Sequence, residues 1–125
     1  MKVSNLILRT ADLDRAVEFW TERVGLPLLG RHEAFAFLDA GSIQIALNAV
    51  DKPFTDDSMS EIVLEVDDIH AAHSEMKARG VPFEIEPRVV TGDASRTLLA
   101  AHFHDPDGHA ASISGWVDGA PPEGV

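Results

Sequence analysis

SNLILRTADLDRA, residues 4–16, is answered by SEIVLEVDDIHAA, residues 60–72, at a constant offset of 56. Each stretch is an apolar, strand-like run that ends in an acidic residue and then turns helical. The echo extends outward from there. Val24, Gly25, Leu26 and Pro27 close the first helical stretch, and Arg79, Gly80, Val81 and Pro82 close the second. Phe37-Leu38-Asp39-Ala40-Gly41 is answered, after a longer gap, by Phe103-His104-Asp105-Pro106-Asp107-Gly108. An internal duplication in 125 residues points to one small pseudo-symmetric domain with a site shared between its halves.

The first module, residues 1–49, opens with alternation. Val3, Asn5, Ile7 and Arg9 point one way; Ser4, Leu6, Leu8 and Thr10 point the other. Asp12 suits an N-cap, and Leu13, Ala16, Val17, Trp20 and Val24 recur at helical steps until Gly25 and Pro27 stop them. Strands are expected over 28–31, 34–39 and 42–48, with Gly41 in the last turn. Residues 50–59 are polar, contain Pro53, and read as a linker. The second module, residues 60–116, repeats the order. A strand over 62–66 is followed by a helix capped by Asp67 or Asp68, with Ile69, Ala72, His73 and Met76 as its buried stripe. Gly80 ends that helix, and strands follow over 83–86, 96–103 and 110–114, with 91–95 as a loop. Residues 117–125 read as a flexible tail. Each module is thus βαβββ, and the fold class is α+β: tandem βαβββ modules forming a curved mixed sheet, as half-barrels around a cavity where ligands bind.

Composition narrows the partners. Apolar residues make up 45% and charged residues 25%, within the globular range. The chain holds no cysteine, which excludes disulfides, thiolate catalysis and sulfur-ligated metals. Twenty-one acids against ten bases give a net charge of −11, which argues against nucleic acid. No apolar run approaches a membrane span and no signal segment opens the chain, so a cytoplasmic protein is expected. There is no Gly-x-Ser-x-Gly elbow and no glycine-rich phosphate loop.

LILRTADLDRAVEFWTERVGLP in the first module, with EIVLEVDDIHAAHSEMKARGVP and FHDPDGHAASI in the second, resembles the glyoxalase/bleomycin-resistance/dioxygenase (vicinal oxygen chelate) superfamily. The resemblance covers the chain to about residue 116. It implies a paired βαβββ fold, commonly a homodimer, but no single activity. The superfamily includes metal-dependent isomerases and lyases, dioxygenases and proteins that only sequester antibiotics, so function has to come from the site.

In metal-dependent members the ligands come from the first and last strand of each module. Carried over by motif, those positions hold Asn5, Glu61, Ser112 and either Ala46 or, if the register slips by two, Gln44. A catalytic divalent site generally needs three good protein ligands and an open position. One carboxylate beside an amide and a hydroxyl falls short, so no cofactor is expected. His102 and His104 project from one face of a predicted strand and with Glu61 would make the displaced metal set, if one exists; the alternative is a pair of exposed or dimer-interface histidines. His73 is expected to pack partly into the core.

Alternation also supplies a cavity lining that needs no metal. Asn5, Ile7 and Arg9, Glu61, Val63 and Glu65, Gln44, Ala46 and Asn48, and Ser112 share the polar set of faces, with Trp116 as a candidate aromatic wall. Leu6, Leu8, Ile43, Ile45, Leu47, Ile62, Leu64 and Ile113 are expected beneath the helices. Arg9 is expected either to bridge a carboxylate, Glu61 or Glu65, or to grip an anionic ligand. Glu61, if desolvated, is the candidate general base; no other catalytic residue is assigned. The expectation is a homodimeric small-molecule binder without the usual metal site, with a metal-dependent lyase, isomerase or dioxygenase of displaced ligands as the alternative.

Overall fold

Both echoing stretches form a strand followed by a helix, for the same local reason. In a computed structural model that describes residues 1–51, 59–104, 106 and 109–122, β1 is Lys2–Thr10 and α1 is Leu13–Glu18. Their counterparts are β5, Ser60–Glu65, and α2, Ile69–Ala78. Asp12 and Asp68 cap the two helices by accepting the backbone N–H of Arg15 (3.1 Å) and Ala71 (3.0 Å). Of the two possible caps on α2, Asp68 is the one used. The first helix ends on Gly25 at φ 95°, a left-handed conformation that glycine adopts at no steric cost.

The chain divides into two compact units, Val3–Ile62 and Met1–Lys2 with Val63–Val125. The division falls inside β5. In the first unit β2 (Leu28–His32), β3 (Phe35–Asp39) and β4 (Gln44–Ala49) complete a βαβββ run with strand order β2-β3-β4-β1. β1 and β4 are parallel and the other pairs antiparallel, so the sheet is mixed. Ala36, Leu38 and Leu47 are fully buried, and Leu8, Ile45, Leu13, Ala16, Val17 and Trp20 pack on them. This is the helix-covered face that strand alternation predicts. The first helix departs from expectation in one respect: after Glu18 it widens into a π-helical segment, Phe19–Val24.

In the second unit the strand order is β5-β8-β7-β6, with β6 Phe83–Gly92, β7 Arg96–His104 and β8 Ala110–Asp118. Its core joins Ile69 and Met76 of α2 to Leu99, Ala101 and Ile113. Gly115 makes this packing possible, because a Cβ there would lie 3.1 Å from the Ile69 Cβ. Two strand boundaries are corrected. β6 runs to Gly92 rather than stopping at 86, because register shifts absorb Pro87, and β6 is the last strand in the order, where a missing N–H is tolerated. β8 runs four residues past Ser114, and Gly119 beyond it donates to the Ser95 carbonyl and accepts from the Thr97 hydroxyl. The expected tail is therefore strand at 117–118. Ile62, expected beneath a helix, is 45% exposed, since in β5 it is Glu61 and Val63 that are buried. Residues 52–58 of the expected linker, most of the Asp105–Gly108 turn, and residues 123–125 lie outside the described residues.

Candidate functional site

Opposite the helix-covered face of the first unit, the register sets side chains in rows across β1, β4 and β3. Asn5 pairs with Gln44 and Gln44 with Asp39; Ile7 with Ala46 and Ala46 with Phe37; Arg9 with Asn48 and Asn48 with Phe35. Paired residues on adjacent strands share a face, so these nine form one surface. Phe35 and Phe37 stack with ring centroids 5.9 Å apart and planes 7° from parallel. Ala46, 2% exposed, makes a small-residue floor between that aromatic platform and the polar residues of β1. Neither phenylalanine was singled out by the sequence reading. The signal was present: in Phe35-Ala36-Phe37-Leu38 the core claims Ala36 and Leu38, which turns both aromatics to the other side.

The polar end is held by an ion pair. The Arg9 guanidinium donates to Glu61 Oε1 at 3.0 Å, with side chains 21% and 7% exposed. The Arg9 backbone N–H donates to the Met59 carbonyl at 2.7 Å, which fixes the start of β5 beside β1. Of the two carboxylates expected for Arg9, Glu61 is its partner; Glu65 pairs with Lys2 at 3.4 Å in an exposed contact of little strength. Asn5 donates from Nδ2 to Ser4 Oγ at 3.2 Å, and its Oδ1 is buried with no hydrogen-bond partner among the described residues. A buried acceptor left unpaired costs on the order of 1–3 kcal/mol and marks a place where a donor is missing.

In the second unit the face opposite the core carries the β7–β8 pairs His104–Ala110, His102–Ser112, Ala100–Ser114 and Leu98–Trp116. Ser112 and Ser114 are buried. Trp116 is 37% exposed and has the Arg96 guanidinium 3.8 Å above its ring, so one side of the candidate aromatic wall is already covered. His104 meets the Glu84 carboxylate at 2.5 Å. His73 packs edge-on against Phe83 and meets Glu86, which also accepts from Lys77 at 2.5 Å. Its partial burial agrees with the sequence expectation.

The donor set at the family's metal positions does not fit a catalytic divalent ion. Ala46 offers no donor, Asn5 offers an amide, and the Glu61 carboxylate is engaged by a guanidinium that a cation would have to displace. Gln44, the alternative to Ala46, is exposed and lies a full pair along the ladder from the Ile7–Ala46 row. Among the described residues no group of three or more His, Asp or Glu is placed to hold a metal, and His104 faces Glu84.

Known proteins share both sequence and fold with this chain. The family model described as Glyoxalase/Bleomycin resistance protein/Dioxygenase superfamily matches residues 2–113. A probable lactoylglutathione lyase of Vibrio cholerae is 31% identical, covering 90% of this chain and 88% of that protein. A lactoylglutathione lyase of Haemophilus influenzae is 30% identical over 87% of this chain and 88% of its own. Among solved structures, a glyoxalase/bleomycin resistance protein/dioxygenase superfamily member from Vibrio splendidus superposes with a TM-score of 0.74, covering 93% of this chain and 98% of that one at 14% identity. At that identity the superposition speaks for the fold alone.

Proposed function

We propose that this chain, which belongs to the glyoxalase/bleomycin resistance protein/dioxygenase superfamily, binds an amphipathic small molecule on a metal-free face of its first unit. One observation carries the reading. The rows that place Phe35 and Phe37 across from Ile7 and Arg9 put an aromatic platform and a nearly buried ion pair on one surface, with Ala46 as the gap between them. Two strand spacings, roughly 10 Å, separate β1 from β3, which suits a ligand with an apolar ring at one end and a polar group at the other. Arg9 orients an anionic or carbonyl group. A homodimer is part of this reading, supported by exposed Val3, Leu28, Leu29, Met59 and Ile62.

Elemental analysis of untagged protein grown with nickel, zinc, iron and manganese, followed by thermal-shift screening, tests it. The expected outcome is far less than one metal per chain and a thermal midpoint moved by less than about 1 °C on adding a chelator. Amphipathic hits should lose affinity in Phe37→Ala and in Arg9→Met. The likeness to lactoylglutathione lyases favours the alternative, a metal-dependent lyase or isomerase. About one tightly held metal per chain, with activity lost on chelation, would establish that alternative and overturn the first reading.

A further inference from the structure

On the opposite side of the first unit, against the first helix, lies a cleft of about 350 Å³ lined by Thr10, Arg15, Ala16, Glu18, Phe19, Trp20 and Arg23. In a straight α-helix, residues eight apart differ in direction by roughly 80°. Arg15 and Arg23 would then look different ways. The π-helical segment from Phe19 to Val24 winds less per residue and cancels most of that offset. Arg15, Phe19 and Arg23 therefore fall in line along one wall.

The chemistry of the wall is specific. Arg15 and Arg23 make no ion pair among the described residues, and neither do Arg79, Arg88 and Arg96, but only Arg15 and Arg23 share a cleft with exposed aromatic surface. The lining of this cleft carries two guanidiniums with no carboxylate partner among the described residues, in a chain of net charge −11. Glu18 offsets one of them, which leaves a single net positive charge. Phe19, 48% exposed, meets Trp20 edge to face, with centroids 5.6 Å apart and planes at 87°. Two perpendicular rings make a corner in which a planar ring stacks on one and meets the edge of the other. The Thr10 hydroxyl is already bonded to the Asp12 backbone and contributes shape only.

We infer that this cleft is a second binding site, for a small planar aromatic monoanion whose carboxylate or sulfonate bridges Arg15 and Arg23 while its ring lies against Phe19 and Trp20. The site is separate from the sheet face proposed above and does not depend on it.

A two-dimensional ¹H–¹⁵N NMR titration of the full chain with 2-naphthoate tests this, because the two indole N–H signals report the two tryptophans separately. The expected result is a saturable shift of the Trp20 indole signal and of backbone amides from Thr10 to Arg23, with Trp116 unmoved. Arg15→Gln/Arg23→Gln should weaken binding by roughly threefold to tenfold, as should added salt. Phe19→Ala, on a half-exposed side chain, should weaken it without loss of spectral dispersion. Uncharged 2-naphthalenemethanol should bind more weakly than the naphthoate. No saturable shift at Trp20, equal binding of the uncharged analogue, or unaltered affinity in the double arginine variant would each overturn the proposal.

Discussion

Arg9 and Glu61 stand 52 positions apart in sequence and meet at 3.0 Å with both side chains largely buried. Such a pair is a poor measure of net stability, because its attraction is spent against desolvation, but breaking one side of it is costly. Arg9→Met is expected to destabilise the chain by about 3 kcal/mol in urea unfolding at pH 7, because it leaves a buried carboxylate without its cation. Arg9→Met/Glu61→Leu should recover most of that loss. A double variant as unstable as the sum of the two single ones would mean that the residues act independently. The pair was half legible in the sequence. Alternation placed Arg9, Glu61 and Glu65 on polar faces but could not choose between the glutamates. The choice rests on the backbone bond from Arg9 to Met59, which no side-chain pattern encodes.

At the scale of elements, α2 is tied to β6 by Glu86, which receives both His73 and Lys77 from one face of the helix. The Lys77 hydrogen bond, and after it the His73 bond, hold the Glu86 carboxyl below its ordinary value of 4.5. A lowered carboxyl pKa contributes stability that is present above 4.5 and fades as pH falls through the lower folded value. The expected result is a denaturation midpoint that declines on acidification below about pH 4.5, more steeply in the parent chain than in Glu86→Gln. Equal slopes in both would remove Glu86 from the account. Both helix starts were readable because an aspartate followed by helical spacing is a local signal. The π segment was not, since Leu13, Val17, Trp20 and Val24 satisfy a helical stripe whether or not the helix widens between them. β6 was cut short at Pro87 because a proline reads as a stop, and only the partner strand shows that a register shift absorbs it.

Over the whole molecule, the duplication at an offset of 56 foretold the repeated βαβββ order, but it set the seam at 50–59. The compact units meet the chain elsewhere, after Ile62. Repeats mark where an ancestral segment was copied, while contacts decide where a folded body ends, and the first strand of the second copy lends its opening residues to the first unit. The residue types at the family's metal positions were legible, an amide at Asn5 and no donor at Ala46. The facing of Phe35 and Phe37 could be read from alternation in β3, but their place across from Arg9 and Ile7 could not, because it depends on register across β3, β4 and β1. The place of that division has a practical consequence. Residues 59–62 are held to β1 by the Met59 carbonyl and by Glu61. Fragments 1–51 and 59–125, expressed separately, are expected to reassemble on mixing and to co-elute in size-exclusion chromatography, whereas a cut after Ile62 would deprive β1 of no such neighbour and give no comparable reassembly through it. A chain built by copying would then serve as a split reporter, its two pieces joined by a strand that one half grew and the other half keeps.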